Sequence, residues 1–465
     1  MLALTLGNEA ARDGKPDIAR QHYAKALLEQ PALAEVVFGN LLRLHRYSAD
    51  SRDSDPIVVA GYELGHNAAG RAAVLAELYS KAGREVLLLG PVVAPYCDLW
   101  APIRQSPLRR RLCALQSFSE VLTGLIPLVA SQPASVVHLS KARGPNLLTG
   151  ALYKLFWSST VLIDVDDEEL GFVGAAGPMS LHEWLVLSEA QRSIDGIIGR
   201  EWTRLAVGLL NDFDGVTVAN TALQQRYRGS LIHHARDESQ WNPSVERRAR
   251  ARAHWGIPSD ARIALFFGTP RSHKGLLETA RALASIPGKR WQLLVVGDFE
   301  DLRFQGELQS IGEGLVRCLP GQPFAEIPEI LSLADVCILL QQGDGQAAQL
   351  QTPAKLTDAL AMRVPVLATE THGLRDFINA KAIVPTTVAG LPQDLLTLWD
   401  QPDSTNRRMA LIDRGRQIFE QELSYRVNAE RLQTAMYVAR QSAISGSDIL
   451  RWAPVQVLGQ ALKAS

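Results

Sequence analysis

The chain has 465 residues, more than a single hydrophobic core usually supports, so two or three domains are expected. Hydrophobic residues make up 46% and charged residues 21%, which excludes a disordered or fibrous protein. A formal net charge of -1 with both signs interspersed excludes a global field for nucleic acid, so an anionic ligand must be held locally.

The N-terminus, Met1-Leu-Ala-Leu-Thr-Leu-Gly, has neither the basic start nor the long apolar core of an export signal, and no run reaches about 18 apolar residues. Cys97, Cys113, Cys318 and Cys337 lie far apart with no C-x-x-C spacing, and read as reduced core thiols. The expected location is cytoplasmic, with a peripheral contact at the inner face of a membrane as the one alternative. Residues 4–31 carry Leu6, Gly7, Ala10, Gly14, Ala19, Tyr23, Ala26 and Pro31, a spacing that resembles one tetratricopeptide repeat. One repeat cannot bury its own face. It is expected to cap the next domain together with the helix Leu33 to Leu44, a protein partner docked on these helices being the alternative. Tyr47 to Pro56 is polar and turn-rich, hence a linker.

From Ile57 the pattern becomes strand, glycine turn, helix, strand: Ile57-Val-Val-Ala-Gly, the turn Gly65-His-Asn-Ala-Ala-Gly70, the helix Ala72 to Ala82, and Glu85-Val-Leu-Leu-Leu. That is a βαβ unit of a sheet buried on both faces. Arg104, Arg109, Arg110 and Arg111 beside Leu108, Leu112 and Trp100 read as a surface helix, or as a patch pressed on an anionic membrane. Further buried strands are expected at Ser135 to Leu139, Thr160 to Asp164 and Gly215 to Ala219. Two chemically rich segments sit at strand ends, where ligand-facing residues arise in such sheets: His138-Leu-Ser-Lys141-Ala-Arg143 and the acidic run Asp164-Val-Asp166-Asp167-Glu168-Glu169. Arg247, Arg248, Arg250 and Arg252 spread over several faces of one helix, as on a solvated linker. Arg236, Asp237 and Glu238 suggest no role of their own.

A second α/β series runs through Ile263 to Phe267, Gln292 to Val296, Gly314 to Leu319, Val336 to Leu340 and Val366 to Thr369. Two doubly wound sheets are therefore expected, with ligands at the carboxyl ends of their strands. Within this series Lys355 to Met362 has apolar residues every three to four positions and reads as a helix bearing Asp358, followed by the strand Pro365-Val-Leu-Ala. Thr371-His372-Gly373-Leu374 then opens another helix, whose free N–H groups and positive dipole end suit a phosphate. A carboxylate one helix away can accept two hydrogen bonds from a ribose diol. One segment thus offers a sugar ligand and a phosphate cradle.

The order Phe266-Phe-Gly268-Thr-Pro-Arg271-Ser-His-Lys274-Gly275, Leu294-Val-Val-Gly297-Asp, Leu333-Ala-Asp335-Val, Lys355-Leu-Thr-Asp358-Ala-Leu-Ala and Val364-Pro365-Val-Leu-Ala-Thr-Glu-Thr-His372-Gly373 resembles the donor domain of family 4 GT-B glycosyltransferases over roughly residues 262–378. The resemblance implies a GT-B fold: two Rossmann-like domains facing a cleft, at 56–245 (acceptor) and 256–420 (nucleotide-sugar donor), with helices at 421–465 crossing back and the helical extension at 1–50. It implies Arg271 and Lys274 as the basic pair at the leaving diphosphate, and Gly268, Gly275, Gly297, Lys355, Asp358, His372, Gly373 and Leu374 as donor-binding residues. On the acceptor side it points to Gly65, Asn67, Lys141, Arg143, Asp166 and Asp167, with His66 as a catalytic proton acceptor. One departure stands out: the first acid of the family's E-x7-E pair falls on Leu350, between Gln349 and Gln351, so the charged contact to the donor sugar is missing.

The implied activity is transfer of a hexose from a UDP- or GDP-sugar to a glycan, lipid-linked or protein acceptor, with retention, and with neither cofactor nor metal, because protein cations meet the diphosphate. A nucleotide-sugar 2-epimerase and a non-catalytic scaffold of the same architecture are the competing readings.

Overall fold

A computed structural model describes residues 1–45, 55–288, 291–341 and 345–464. Most of the expected linker, Tyr47 to Ser54, lies outside the described residues. The chain divides into two compact units, the first made of residues 1–219, 223–232 and 429–465, the second of 220–222 and 233–428.

The first unit is built on a seven-stranded parallel sheet. Its strands are β1 (Ile57–Gly61), β2 (Val86–Val93), β3 (Arg109–Leu115), β4 (Val136–Ser140), β5 (Thr160–Val165), β6 (Gly215–Val218) and β7 (Ser230–Leu231), in the order β3-β2-β1-β4-β5-β6-β7. β1, β2, β4 and β5 are buried along their whole length. Helices cover both faces, so nothing selects for the polar alternation of a half-exposed strand. Of the arginines expected on a surface helix, Arg109, Arg110 and Arg111 instead open β3, whose side chains are mostly exposed or half-buried, while Arg104 lies in the turn before it. β3 is an edge strand, and charged side chains there keep the open edge from pairing with another chain.

At the N-terminus the helices Leu2–Arg12 and Pro16–Glu29 form a hairpin. Their approach is close because Gly7 leaves room for a ring: a Cβ there would lie 2.6 Å from Tyr23 Cε1. The hairpin is fastened to its own unit by Arg20, which is buried, donates from Nε to Phe156 O (2.9 Å) and lies 4.2 Å over the Trp157 ring. Arg20 therefore satisfies a carbonyl at the end of the helix Gly144–Trp157, where intrahelical donors have run out. The helix Ala453–Ala464 belongs to this unit too. It is preceded by Trp452, whose indole donates to Asp212 O (2.6 Å).

The second unit holds a six-stranded parallel sheet of β8 (Arg262–Phe267), β9 (Trp291–Val296), β10 (Val316–Leu319), β11 (Val336–Leu339), β12 (Val366–Ala368) and β13 (Val384–Pro385), in the order β10-β9-β8-β11-β12-β13. The first six strands of the other sheet follow the same pattern, so each sheet is doubly wound in the Rossmann manner. The helix Val245–His254, expected to be a solvated linker, is tied down by two of its arginines. Arg248 and Arg252 donate to Asp335 (2.6 and 2.8 Å) and to the carbonyls of Ala334 and Leu333 (2.6 and 2.9 Å). They close the carboxyl end of the helix Ile327–Leu333, whose last carbonyls have no intrahelical partner.

Candidate functional site

In the second unit β8 and β9 are each followed directly by glycine. Gly268 has φ +102° and Gly297 φ +157°, and a Cβ on Gly297 would collide with Gly268 O. Only bare backbone permits these two turns to touch. Into this space comes Lys355 from the helix Ala354–Ala361: a Cβ on Gly268 would lie 2.9 Å from Lys355 Nζ, which also sits 5.3 Å over the Phe266 ring. Burial, and then the charge of Lys274, lower the Lys355 ammonium to about 8, with Arg271 adding in the same direction. Three cations thus converge where β8 ends. Lys274 closes the short turn Ser272–Lys274, and Gly275 follows at φ +65°, where a Cβ would lie 2.6 Å from Leu340 Cβ. Arg271 is exposed and pairs with Glu300 at 3.2 Å.

The end of β12, separated from β8 by β11, carries the Gly373 turn. A Cβ on Gly373 would collide with Gln351 O, and Thr352 Oγ1 donates to Gly373 O (2.6 Å). Leu350 and Gln351, which stand where the family's first acid is expected, are therefore pressed against this turn by backbone contacts. Gln351 Oε1 accepts from Gln341 Nε2 at 3.5 Å, and Gln341 N donates to Thr369 Oγ1 at 3.2 Å. His372 is exposed, whereas Gly373 and Leu374 are buried.

Asp358 lies one helical turn beyond Lys355 and is only 2% exposed. Burial pushes its carboxyl up, and the guanidinium of Arg236, with Nε 2.5 Å from Oδ1, pulls it down. Arg236 itself lies over the packed rings of Phe324 (4.7 Å) and Trp241 (5.3 Å). The carboxylate expected to face a ribose diol thus faces a buried arginine that sequence reasoning left without a role. The one available signal was an arginine near a tryptophan ahead of an acid-bearing helix, too weak a pattern to join residues so far apart in the chain.

In the first unit the expected acceptor-side residues fall into two groups. Lys141 and Arg143, just after β4, meet the acidic run after β5. Lys141 Nζ lies 2.7 Å from Asp166, 2.9 Å from Asp167 and 3.4 Å from Glu169, while Arg143 holds Glu169 at 2.5 Å. Burial pushes Asp166 up to about 7 against the pull of Lys141, and the three carboxylates hold the Lys141 ammonium well above its usual range against its own burial. The rest of the run is paired as well. Asp164 takes both Arg71 Nε (2.9 Å) and Nη2 (2.8 Å), and Glu168 takes Arg226 (2.8 Å) and Tyr227 Oη (2.6 Å). Oxygen atoms of Asp166, Asp167 and Glu169 lie within 4.8 Å of one another, close enough for a cation, and the Lys141 ammonium bonds all three acids. His138 is fully buried between Tyr79 Oη (3.2 Å) and Thr217 Oγ1 (2.9 Å), and burial lowers it to about 4.

The second group is the turn after β1. Glu63, which sequence reasoning passed over, is buried and organises it. Its carboxylate accepts the N–H groups of Gly65 (2.8 Å), His66 (3.1 Å) and Val93 (3.2 Å) and stands 3.1 Å from His66 Nε2. Ala68 N donates to His66 Nδ1 at 3.1 Å, with Asn67 Oδ1 at the same distance, so both ring nitrogens are engaged within the turn. A Cβ on Gly65 would collide with Tyr96. A charged residue two positions beyond a wholly buried strand was the available signal for Glu63. Beside this turn lies a cavity of about 480 Å³, walled by the ends of β1, β2 and β3 and by Asp195 and Ile198.

Residues 261–401 match the family model described as glycosyl transferases group 1. TuaC of Bacillus subtilis (strain 168), named as a teichuronic acid biosynthesis glycosyltransferase, is 27% identical over 137 residues, a stretch covering 29% of this chain and 32% of that protein. The chain therefore spans about a third of that curated relative. Among solved structures, HepE from Anabaena in complex with UDP and glucose superposes with a TM-score of 0.60 at 14% identity, over 82% of this chain and 99% of that one. WaaG, a glycosyltransferase involved in lipopolysaccharide biosynthesis, superposes with a TM-score of 0.57 at 14% identity over the same shares. The chain has a GT-B fold, and its residues 261–401 form a glycosyl transferases group 1 domain.

Proposed function

We propose that this protein is a glycosyltransferase that uses a nucleoside-diphosphate sugar as donor, with UDP the first nucleotide to test, and transfers the sugar to a hydroxyl of a glycan, lipid-linked or protein acceptor. The observation that carries the reading is the convergence of Arg271, Lys274 and Lys355 on the glycine turns at the ends of β8 and β9. The charge of Lys274 disfavours the buried Lys355 ammonium beside it, and a bound dianion relieves that repulsion. As the sugar bond breaks, negative charge grows on the diphosphate, and fixed cations beside it stabilise the transition state more than the ground state. The group 1 match and the UDP complexes of HepE support the same class of donor. The group 1 likeness also favours retention at the anomeric carbon.

The test is two-fold. UDP should raise the melting temperature of the wild-type protein, and nucleoside diphosphate should be released from the sugar nucleotide only when an acceptor is supplied. Lys274→Ala should lower the rate by about two to four orders of magnitude with the fold intact, the scale for removing one preorganised electrostatic contact. Unchanged turnover in that variant would place the diphosphate elsewhere.

A further inference from the structure

The cavity beside the Glu63 turn has the size of a small-molecule site and an unusual balance of charge. Its volume of about 480 Å³ falls within the range of about 300–1,000 Å³ found for ligand pockets. Its floor is fixed before any ligand arrives, because the Glu63 carboxylate is held by three backbone N–H groups and by His66. One wall is aromatic: Tyr96 is 46% exposed, its ring centre 5.7 Å from that of His66, and Phe118 is half-buried. The rim offers the Gln116 carboxamide and the Asp195 carboxylate, both exposed. Among the described residues neither lysine nor arginine lines it.

We propose that this cavity binds an uncharged sugar residue. A pyranose presents an apolar C–H face and a rim of hydroxyls. The face fits an aromatic wall, and the hydroxyls, which both donate and accept, fit a carboxylate and a carboxamide. A phosphate, sulfate or uronate would face the like charge of Asp195 with neither lysine nor arginine among the described lining residues to meet it, and a neighbouring like charge disfavours the anion. The basic groups earlier expected to meet the acceptor, Lys141 and Arg143, are bound within their own carboxylate cluster and are absent from the lining. Taking the bound sugar to be the acceptor's receiving residue rests on the glycosyltransferase reading. The cavity's preference for neutral sugars does not.

Saturation-transfer NMR and calorimetry on the full-length protein separate the two. Methyl β-glucoside and maltose should bind, and glucuronate and glucose 6-phosphate should bind at least about ten-fold more weakly, the discrimination worth one charge-assisted contact. Tyr96→Ala and Asp195→Ala should each weaken the neutral sugars by about ten-fold or more while leaving the UDP melting shift unchanged. Anionic sugars binding as well as neutral ones, neutral sugars binding equally to both variants, or no neutral sugar binding to the wild type would each overturn the proposal. Absence of a UDP shift in the wild type would instead count against the donor site while leaving the cavity's result readable.

Discussion

Because burial and Lys274 lower the Lys355 ammonium to about 8, an anion bound beside it should push that value back up. The nucleotide complex then holds more protons than the free protein above pH 8, so UDP affinity should be level below about pH 8 and fall as pH rises through it. Calorimetry in two buffers of different ionisation enthalpy would register the proton uptake, and Lys355→Met should abolish both the uptake and the slope. Asp358 calls for a different experiment. If its main partner is Arg236, Asp358→Asn leaves a buried guanidinium uncompensated and should destabilise the fold by about 3–5 kcal/mol. If it serves a ribose, the same substitution should weaken UDP binding with little change in denaturation midpoint. The two readouts together assign the carboxylate.

At the level of elements, β4 and β5 deliver Lys141 and the acidic run to one another, and the ion cluster depends on that pairing. Lys141→Met should destabilise the first unit by about 3–5 kcal/mol, because Asp166, Asp167 and Glu169 would then share a buried place without their central cation. In that variant, magnesium or calcium should raise the melting temperature if the vacated carboxylates can hold a metal, whereas the wild type should be indifferent. The strands themselves were legible in the sequence, since parallel strands buried on both faces read as unbroken apolar runs such as Ile57-Val-Val-Ala. β3 was not, because the negative pressure on an edge strand fills it with arginine and erases the apolar signal. The arginines of Val245–His254 were misjudged for a related reason. Their partners are Asp335, more than eighty residues away in the chain, and carbonyls at the end of another helix, and neither leaves a local trace in the side-chain pattern. Gly268, Gly275 and Gly297 stand at positive φ, where the backbone itself restricts residue type, whereas Lys274 and Lys355 carry no such local mark and are singled out by the resemblance alone. Glu63 and Arg236 act through folded contacts and had no such local mark.

For the whole molecule, the proposed donor site would meet a leaving diphosphate with cations of the second unit, and the carboxylates closest to a metal-binding arrangement among the described residues are bridged by Lys141. Turnover should therefore persist in excess EDTA. Loss of activity restored by magnesium or manganese would turn Asp166 and Asp167 into ligands. A last consequence follows from the chain's path through its two units. Residues 233–428 form nearly all of the second unit, and only at Ala429 does the chain return to the first. The helix Ala453–Ala464, whose Val455, Val457, Leu458 and Leu462 are buried, completes the core of a unit whose first strand was synthesised some four hundred residues before. During translation the second unit can close its sheet as soon as its own strands emerge. The first unit cannot complete its core until Ala453–Ala464 has also been made, so its partly assembled sheet stands open to misassembly in that interval.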